Sequence, residues 1–197
     1  MKSTIQDKNK LVNSVFSSVY KKYDFMNDLM SLGIHRLWKE KFIDWMNPQP
    51  NTKLIDVASG TGDIAKLFFM KTKKTGEITC IEPNKNMLEQ GQRRLKKNSN
   101  INWVNAAAEK IPFKDNEFDR IILSHTLEHI PYPKKILTTL SSLLKKNGCM
   151  IISMPNSESI IWRLLDAGNN NFYMKEIEHY HNFSKTSLYE LLEQCGM

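Results

Sequence analysis

The sequence predicts an α/β fold, a doubly wound parallel sheet with helices on both faces. From Lys53 onward, short apolar runs of strand length alternate with longer stretches of helical spacing, an order that builds parallel strand–helix units. The first run, Leu54-Ile55-Asp56-Val57, leads into a glycine-rich turn, Ala58-Ser59-Gly60-Thr61-Gly62-Asp63, directly before a helical stretch. Sheets of this kind place such a turn at the carboxyl ends of their strands, where ligands bind. At 197 residues the chain suits one compact unit with a sizeable core.

Taken in order, Val12, Val15, Phe16, Val19, Tyr20 and Tyr23 recur at helical spacing. Trp38, Phe42, Trp45 and Met46 do so again before Asn47-Pro48 stops the chain. Residues 1–50 are therefore expected as a helical lid and substrate segment, and 51–197 as the α/β domain, together one compact unit. Strands are expected at 53–57, 77–81, 101–104, 118–124 and 149–154. Helices are expected at 63–71, 84–96, 133–145 and near 185–195, after which Cys195-Gly196 resembles a helix stop leading toward another strand.

Composition narrows the function classes. The net charge is +7, but its excess sits in Lys71 to Lys74, Arg93 to Lys97 and Lys145-Lys146, groups expected at helix ends, where they complement the macrodipole. No aromatic side chains interleave them as base-stacking would need, so nucleic acid is not an expected partner. Cys80, Cys149 and Cys195 are far apart and indicate neither a disulfide framework nor a zinc site. A reduced, cytoplasmic setting follows, without a signal peptide or an apolar run of membrane-spanning length.

The turn carries the chemistry. Gly60 and Gly62 let the backbone approach a ligand, and the following helix aims free N–H groups at the same place. The string also fits the dinucleotide fingerprint, with Glu82 about 20 positions on to hold a ribose. Charge separates the two ligands. Asp56, Asp63 and Glu82 would surround the loop, and Leu54 to Ala65 contains no Lys or Arg. Three carboxylates repel a pyrophosphate but suit a ligand with an ammonium, a sulfonium and a ribose diol, which is S-adenosylmethionine.

Other groups have duller readings. His125-x-x-Glu128-His129 matches a zinc pattern literally, but Pro131 and Pro133 cut short the helix that pattern needs, and no metal is expected. His125 and His129 are instead expected to line the cleft as candidate bases, because imidazole titrates near neutral pH. His179-Tyr180-His181 reads either as a surface loop or as a lid contributing a substrate contact. His35 and Trp38 lie one helical turn apart, with core packing and substrate contact both open.

Two resemblances emerge from these residues. Leu54 to Ala65, Glu82 and Ala108-Glu109-Lys110-Ile111-Pro112-Phe113 are similar to the class I S-adenosylmethionine-dependent methyltransferases, which implies a Rossmann-like sheet. Val15-Phe16 and Tyr23-Asp24-Phe25-Met26-Asn27-Asp28-Leu29-Met30-Ser31-Leu32-Gly33-Ile34-His35-Arg36-Leu37-Trp38-Lys39 resemble the signature of the ubiquinone/menaquinone biosynthesis C-methyltransferases. That likeness is dense over residues 10–70 and patchy beyond. It implies Thr61, Glu82, Ala107, Ala108 and Ser124 as cofactor contacts beside Asp56, Gly60 and Gly62, with Ala107 where the family carries an Asn. It also implies Tyr23, Met26, Asn27, His35 and Trp38 as substrate contacts, and a prenylated quinol methylated on ring carbon. A lipid-tailed substrate in turn implies transient contact with a membrane surface.

The chain departs from that family at His125-Thr126-Leu127-Glu128-His129 and at Cys149 to Asn156, which keeps methylation of another small molecule open. The family also extends past a glycine like Gly196 through two more strands. The sheet is thus expected to lack its last two strands, leaving an exposed edge through which copies could associate. A shortened, cofactor-binding remnant without activity is the remaining reading.

Overall fold

A computed structural model describes residues 34–158 and 179–197, the side chains of residues 34–37 excepted. Among these residues, five strands form one wholly parallel sheet in the order β3-β2-β1-β4-β5. The strands are β1 (Lys53–Val57), β2 (Glu77–Ile81), β3 (Ile101–Val104), β4 (Phe118–Ser124) and β5 (Leu144–Ser153). The helices are α1 (Ile34–Trp45), α2 (Asp63–Lys71), α3 (Lys85–Leu95), α4 (Pro133–Leu143) and α5 (Lys185–Gln194). The order reverses between β1 and β4, so the crevice for a ligand opens at their carboxyl ends.

Local chemistry explains the helix boundaries. Asn84 caps α3 by accepting from the N–H groups of Asn86 and Met87, and Ser184 opens α5 through a reciprocal box with Ser187. Pro133 occupies the first turn of α4, where its missing N–H is harmless. The central strands β1, β2 and β4 are apolar on both faces because helices cover both. One core layer joins Phe42 and Ile43 of α1, and Met46 just past it, to Ile64, Ala65, Phe68 and Phe69 of α2. The other joins Ile136, Leu137, Leu140 and Leu143 of α4 to Ile55, Val57, Ile121 and Leu123.

Strands 53–57, 77–81, 101–104 and 118–124 lie where the sequence places them. The α4–β5 junction differs. The helix stops at Leu143, not residue 145, and β5 starts at Leu144, which pairs with Phe118 before a register break leads to Cys149 opposite Arg120. Asn116 and Glu117 donate backbone N–H groups to the carbonyls of Ser142 and Leu143 at 2.9 Å each, drawing the end of the helix onto β4. Lys145 and Lys146 therefore belong to a strand, and Lys145 pairs with Asp119 at 2.9 Å.

The β3–β4 connection carries only a single 3-10 turn, Ala108–Lys110. The strands beside it are left with a groove lined by Thr79, Asn102, Val104, Phe113 and Phe118. No described helix is long and apolar enough to cross a membrane. The first expected helix, with Tyr23, Met26 and Asn27, lies outside the described residues.

Candidate functional site

The turn after β1 is built from left-handed backbone at alternating positions: Ala58 (φ 56°), Gly60 (φ 58°) and Gly62 (φ 81°). Glycine adopts this conformation freely, whereas Ala58 does so at a cost of about 1–2 kcal/mol. Glu82, just past β2, holds the turn in place. Its Oε2 accepts from the Gly60 N–H at 2.8 Å and its Oε1 from the Asn84 N–H at 2.7 Å. Asn105 donates its amide to the carbonyls of Glu82 and Pro83 at 2.8 and 3.1 Å, which fixes the crossing from β2 to α3.

This arrangement fits S-adenosylmethionine. A carboxylate has about four acceptor positions, so Glu82 keeps capacity for a ribose diol after serving Gly60 and Asn84. A Cβ on Gly60 would stand 3.2 Å from Met87 Cε, so the flexible end of Met87 would have to give by a few tenths of an ångström, and the left-handed backbone would strain any side chain there. Glu82 is buried, and burial raises its carboxyl above the usual range while the Asn84 and Gly60 N–H groups oppose that rise.

The other two carboxylates behave differently from their expected role as a field of negative charge. Asp56 lies beneath the turn at 2% exposure. Burial, and then the charge of Glu82, push it up to about 8, so it keeps its proton at neutral pH. Its Oδ2 has no hydrogen-bond partner among the described residues. Asp63 opens α2 and is paired twice, with Lys39 of α1 at 2.9 Å and Arg94 of α3 at 2.7 Å. Against the upward push of burial, these two cations hold its carboxyl at about 2.

Arg94 also donates to Thr61 Oγ1 at 2.6 Å, so the Thr61 hydroxyl is turned toward α3. Trp103 of β3 fills the space between that helix and the turn. Added Cβ atoms at Gly91 and Gly62 would lie 2.1 and 2.8 Å from its ring. Glycine at position 91 is therefore needed for packing within a helix that would otherwise favour alanine.

At the end of β4, Ser124 Oγ lies 3.1 Å from Ser153 Oγ across to β5. The chain then turns through His125 (φ 51°), whose N–H donates to the Ser153 carbonyl at 2.8 Å. The His125 ring meets Trp38 of α1 edge-on, with centroids 5.6 Å apart, and its side chain is half exposed. Partial withdrawal from water, then the charges of Lys39 and His179, lower its pKa. Trp38 also packs against Phe42 and the core, so it joins α1 to this end of the cleft.

His129 faces elsewhere. It sits in a 3-10 turn, Leu127–His129, and its ring meets that of His179 at 4.7 Å. The described segment from His179 is docked on this turn. Tyr180 and His181 donate backbone N–H groups to the Glu128 carbonyl at 2.9 and 3.3 Å. The two histidines of that segment take separate partners, since His181 Nε2 lies 3.3 Å from the Pro131 carbonyl oxygen.

Ala107 precedes the 3-10 turn at Ala108 with extended backbone, and Ala108 and Ile111 pack against the second core layer. At position 107 only the backbone is available for polar contact. His35 belongs to α1, and its side chain is outside the described set. Sequence reasoning passed over Lys39, Arg94, Asn105 and Trp103, and it singled out His179 without its partner His129. Arg94 was hidden in a basic run read as a solvated helix end, and the others act across separations that carry no local pattern.

Known proteins resemble this chain in sequence and in fold. The ubiE/COQ5 methyltransferase family matches residues 3–177. The ubiquinone/menaquinone biosynthesis C-methyltransferase UbiE of Ruegeria sp. is 36% identical over 191 residues, covering 87% of this chain and 76% of its own length. Its counterpart in Rickettsia bellii is 42% identical over 151 residues, covering 74% of this chain and 60% of its own length. Against the second relative, then, the chain spans less than two thirds of the whole protein.

Among solved structures, the Burkholderia thailandensis 1,6-didemethyltoxoflavin-N1-methyltransferase, which holds S-adenosylhomocysteine, superposes with a TM-score of 0.72 at 14% identity. That match covers 99% of this chain and 80% of the other. With the sheet order, the Glu82-held turn and the family match in agreement, the chain belongs to the ubiE/COQ5 methyltransferase family, on the Rossmann-like α/β fold of S-adenosylmethionine-dependent methyltransferases.

Proposed function

We propose that this chain transfers a methyl group from S-adenosylmethionine to a ring carbon of a prenylated quinol; its relatives carry the name ubiquinone/menaquinone biosynthesis C-methyltransferase, which supports this reading. One observation supports it most directly: the turn clasped by Glu82 and the half-exposed His125 both lie at the carboxyl ends of β1, β2 and β4. When bound, the cofactor supplies a sulfonium-activated methyl group, so the protein has mainly to position the acceptor and remove a proton. Glu82 and the backbone of Gly60 to Gly62 bind and orient; Ala107, Ala108 and Ser124 border the same cleft.

His125 is the proton acceptor in this reading. Its ring is supported by Trp38, and its lowered pKa leaves it neutral near pH 7. Loss of an ortho-hydroxyl proton makes the ring carbon nucleophilic. His129, turned toward His179, is less suited to this role. Residues 1–50 act as the lid, with Tyr23, Met26, Asn27, His35 and Trp38 meeting the substrate. A lipid tail brings the protein transiently to a membrane surface, and the edge of β5, unpaired among the described residues, offers a surface for self-association.

The test is a methyl-transfer assay on a panel of prenylated quinols, with the product mapped to carbon or oxygen. Ring C-methylation is expected, and His125→Ala should lower kcat by about 10²–10⁴-fold while S-adenosylhomocysteine binding persists. Unchanged turnover in His125→Ala would remove His125 from the mechanism. Tight cofactor binding with no turnover on any quinol would redirect the search to another small molecule.

A further inference from the structure

We infer that Glu128, His129 and His179 form a binding site for a divalent transition-metal ion beside the cleft. This goes beyond the methyl-transfer reading and does not depend on it. One carboxylate oxygen and one ring nitrogen from each histidine lie within 4.8 Å of one another. Donors bound at about 2.0–2.1 Å around a tetrahedral ion stand about 3.3–3.4 Å apart, so the three side chains have to draw together to close the set around an ion.

Three features make this a built site. The Glu128 residue is 3% exposed, and a buried carboxylate is stabilised by a cation. The two halves of the site, about 50 residues apart in the chain, are fastened by the Tyr180 and His181 N–H bonds to the Glu128 carbonyl. Finally, His125 Nδ1 lies 3.8 Å from Glu128 Oε1, which places a further nitrogen next to the set and links it to the cleft.

The helix that the His125-x-x-Glu128-His129 spacing normally demands is absent. A 3-10 turn presents Glu128 and His129 instead, and His179 supplies the donor from elsewhere in the chain. Two imidazoles and a carboxylate suit Zn²⁺, Co²⁺ or Mn²⁺ better than the all-oxygen preference of Mg²⁺ or Ca²⁺. Three protein donors leave at least one position open. Its complementary ligand class is a hydroxyl or phenolate oxygen, the kind of group a quinol acceptor carries.

The experiment uses the full chain freed of metal by chelation and titrated with Zn²⁺ and with Co²⁺ in a calorimeter, with the Co²⁺ absorption spectrum recorded in parallel. One equivalent should bind, with a spectrum of nitrogen and oxygen ligation lacking thiolate charge transfer, and Mg²⁺ should bind more weakly. His179→Ala should weaken Zn²⁺ binding by more than about 100-fold, since losing a ligand exceeds the 10–100-fold typical of losing its supporting partner. A Cys149→Ser, Cys195→Ser double variant should bind as the parent does.

Absence of Zn²⁺ binding by the folded parent overturns the proposal. So does binding that survives His179→Ala or disappears in the double cysteine variant. If His179→Ala does not fold, the parent Co²⁺ spectrum and Glu128→Gln decide the matter in its place. Binding of S-adenosylhomocysteine, followed on the same samples, shows separately whether the cofactor reading stands.

Discussion

Asp56 shows how one side chain changes meaning between sequence and structure. As a string it is one of three carboxylates around a glycine turn; in the fold it is buried beneath that turn with its carboxyl pushed up to about 8. Its folded pKa lies above the ordinary value of 3.8, so the folded state holds a proton that the unfolded state releases. The stabilisation is complete below about pH 4 and is lost as pH rises toward 8, by at most about 1.4 kcal/mol per pH unit. Asp56→Asn should flatten this slope, with stability differing from the parent by a few kcal/mol between pH 5 and pH 8. Denaturant unfolding across that range checks it, and parallel curves for the two proteins would show that Asp56 is ionised in the fold.

Asp63 has the opposite sign. Its carboxyl is held at about 2, below its ordinary 3.8, so its contribution is present above about pH 4 and is lost as pH falls toward 2. It is partly exposed, so solvent screening reduces the contribution to about 1–2 kcal/mol. Asp63→Asn should remove about that much at pH 7 and only about 0.4 kcal/mol at pH 2, again read by denaturant unfolding. The sequence shows the acid but neither cation, because Lys39 lies 24 residues before it and Arg94 lies 31 after it.

At the scale of elements, strand bounds were legible because each short apolar run in β1 to β4 is cut by Asn, Gly, Pro or charged residues, and buried parallel strands read as continuous apolar segments. The α4–β5 junction was not. Leu143 and Leu144 continue an apolar pattern that suits either element, and the bonds from Asn116 and Glu117 settle where the helix stops. The packing of α3 on β3 was equally hidden, since nothing local marks Gly91 as the seat of the Trp103 ring.

Gly91→Ala should therefore destabilise by about 1–3 kcal/mol or more through overpacking, despite alanine's better helix propensity. The clash is with the outer ring of the indole, which Trp103→Phe removes. In that background Gly91→Ala should be close to neutral or stabilising by about 0.5–1 kcal/mol. A double-mutant cycle in urea measures the difference, and equal effects in both backgrounds would mean that α3 and β3 do not meet as described.

For the whole molecule, the proposed cofactor cleft lies at the ends of β1, β2 and β4, where Lys39 and Trp38 of α1 and Arg94 of α3 meet Asp63 and His125. A ligand bound only by the folded chain stabilises it through mass action. S-adenosylhomocysteine at 100 times its Kd should add about 2.7 kcal/mol, visible as a rise in Tm. Glu82→Ala should abolish that rise at the same ligand concentration. A rise unchanged by Glu82→Ala would place the cofactor elsewhere.

The sequence by itself determined the parallel α/β architecture, the glycine turn with Glu82 opposite it, and the likeness to quinol C-methyltransferases. Each of these is carried by residues close together in the chain, by periodicity or by a compact motif. Only the tertiary structure decided the charge of the site and the company of its histidines. Burial keeps Asp56 protonated, Lys39 and Arg94 neutralise Asp63, and the docking of Tyr180 and His181 on the Glu128 carbonyl brings His179 to His129. Ionisation depends on solvent exclusion and on charges a few ångströms away, and residues about 25 to 50 positions apart become neighbours only when the sheet has closed.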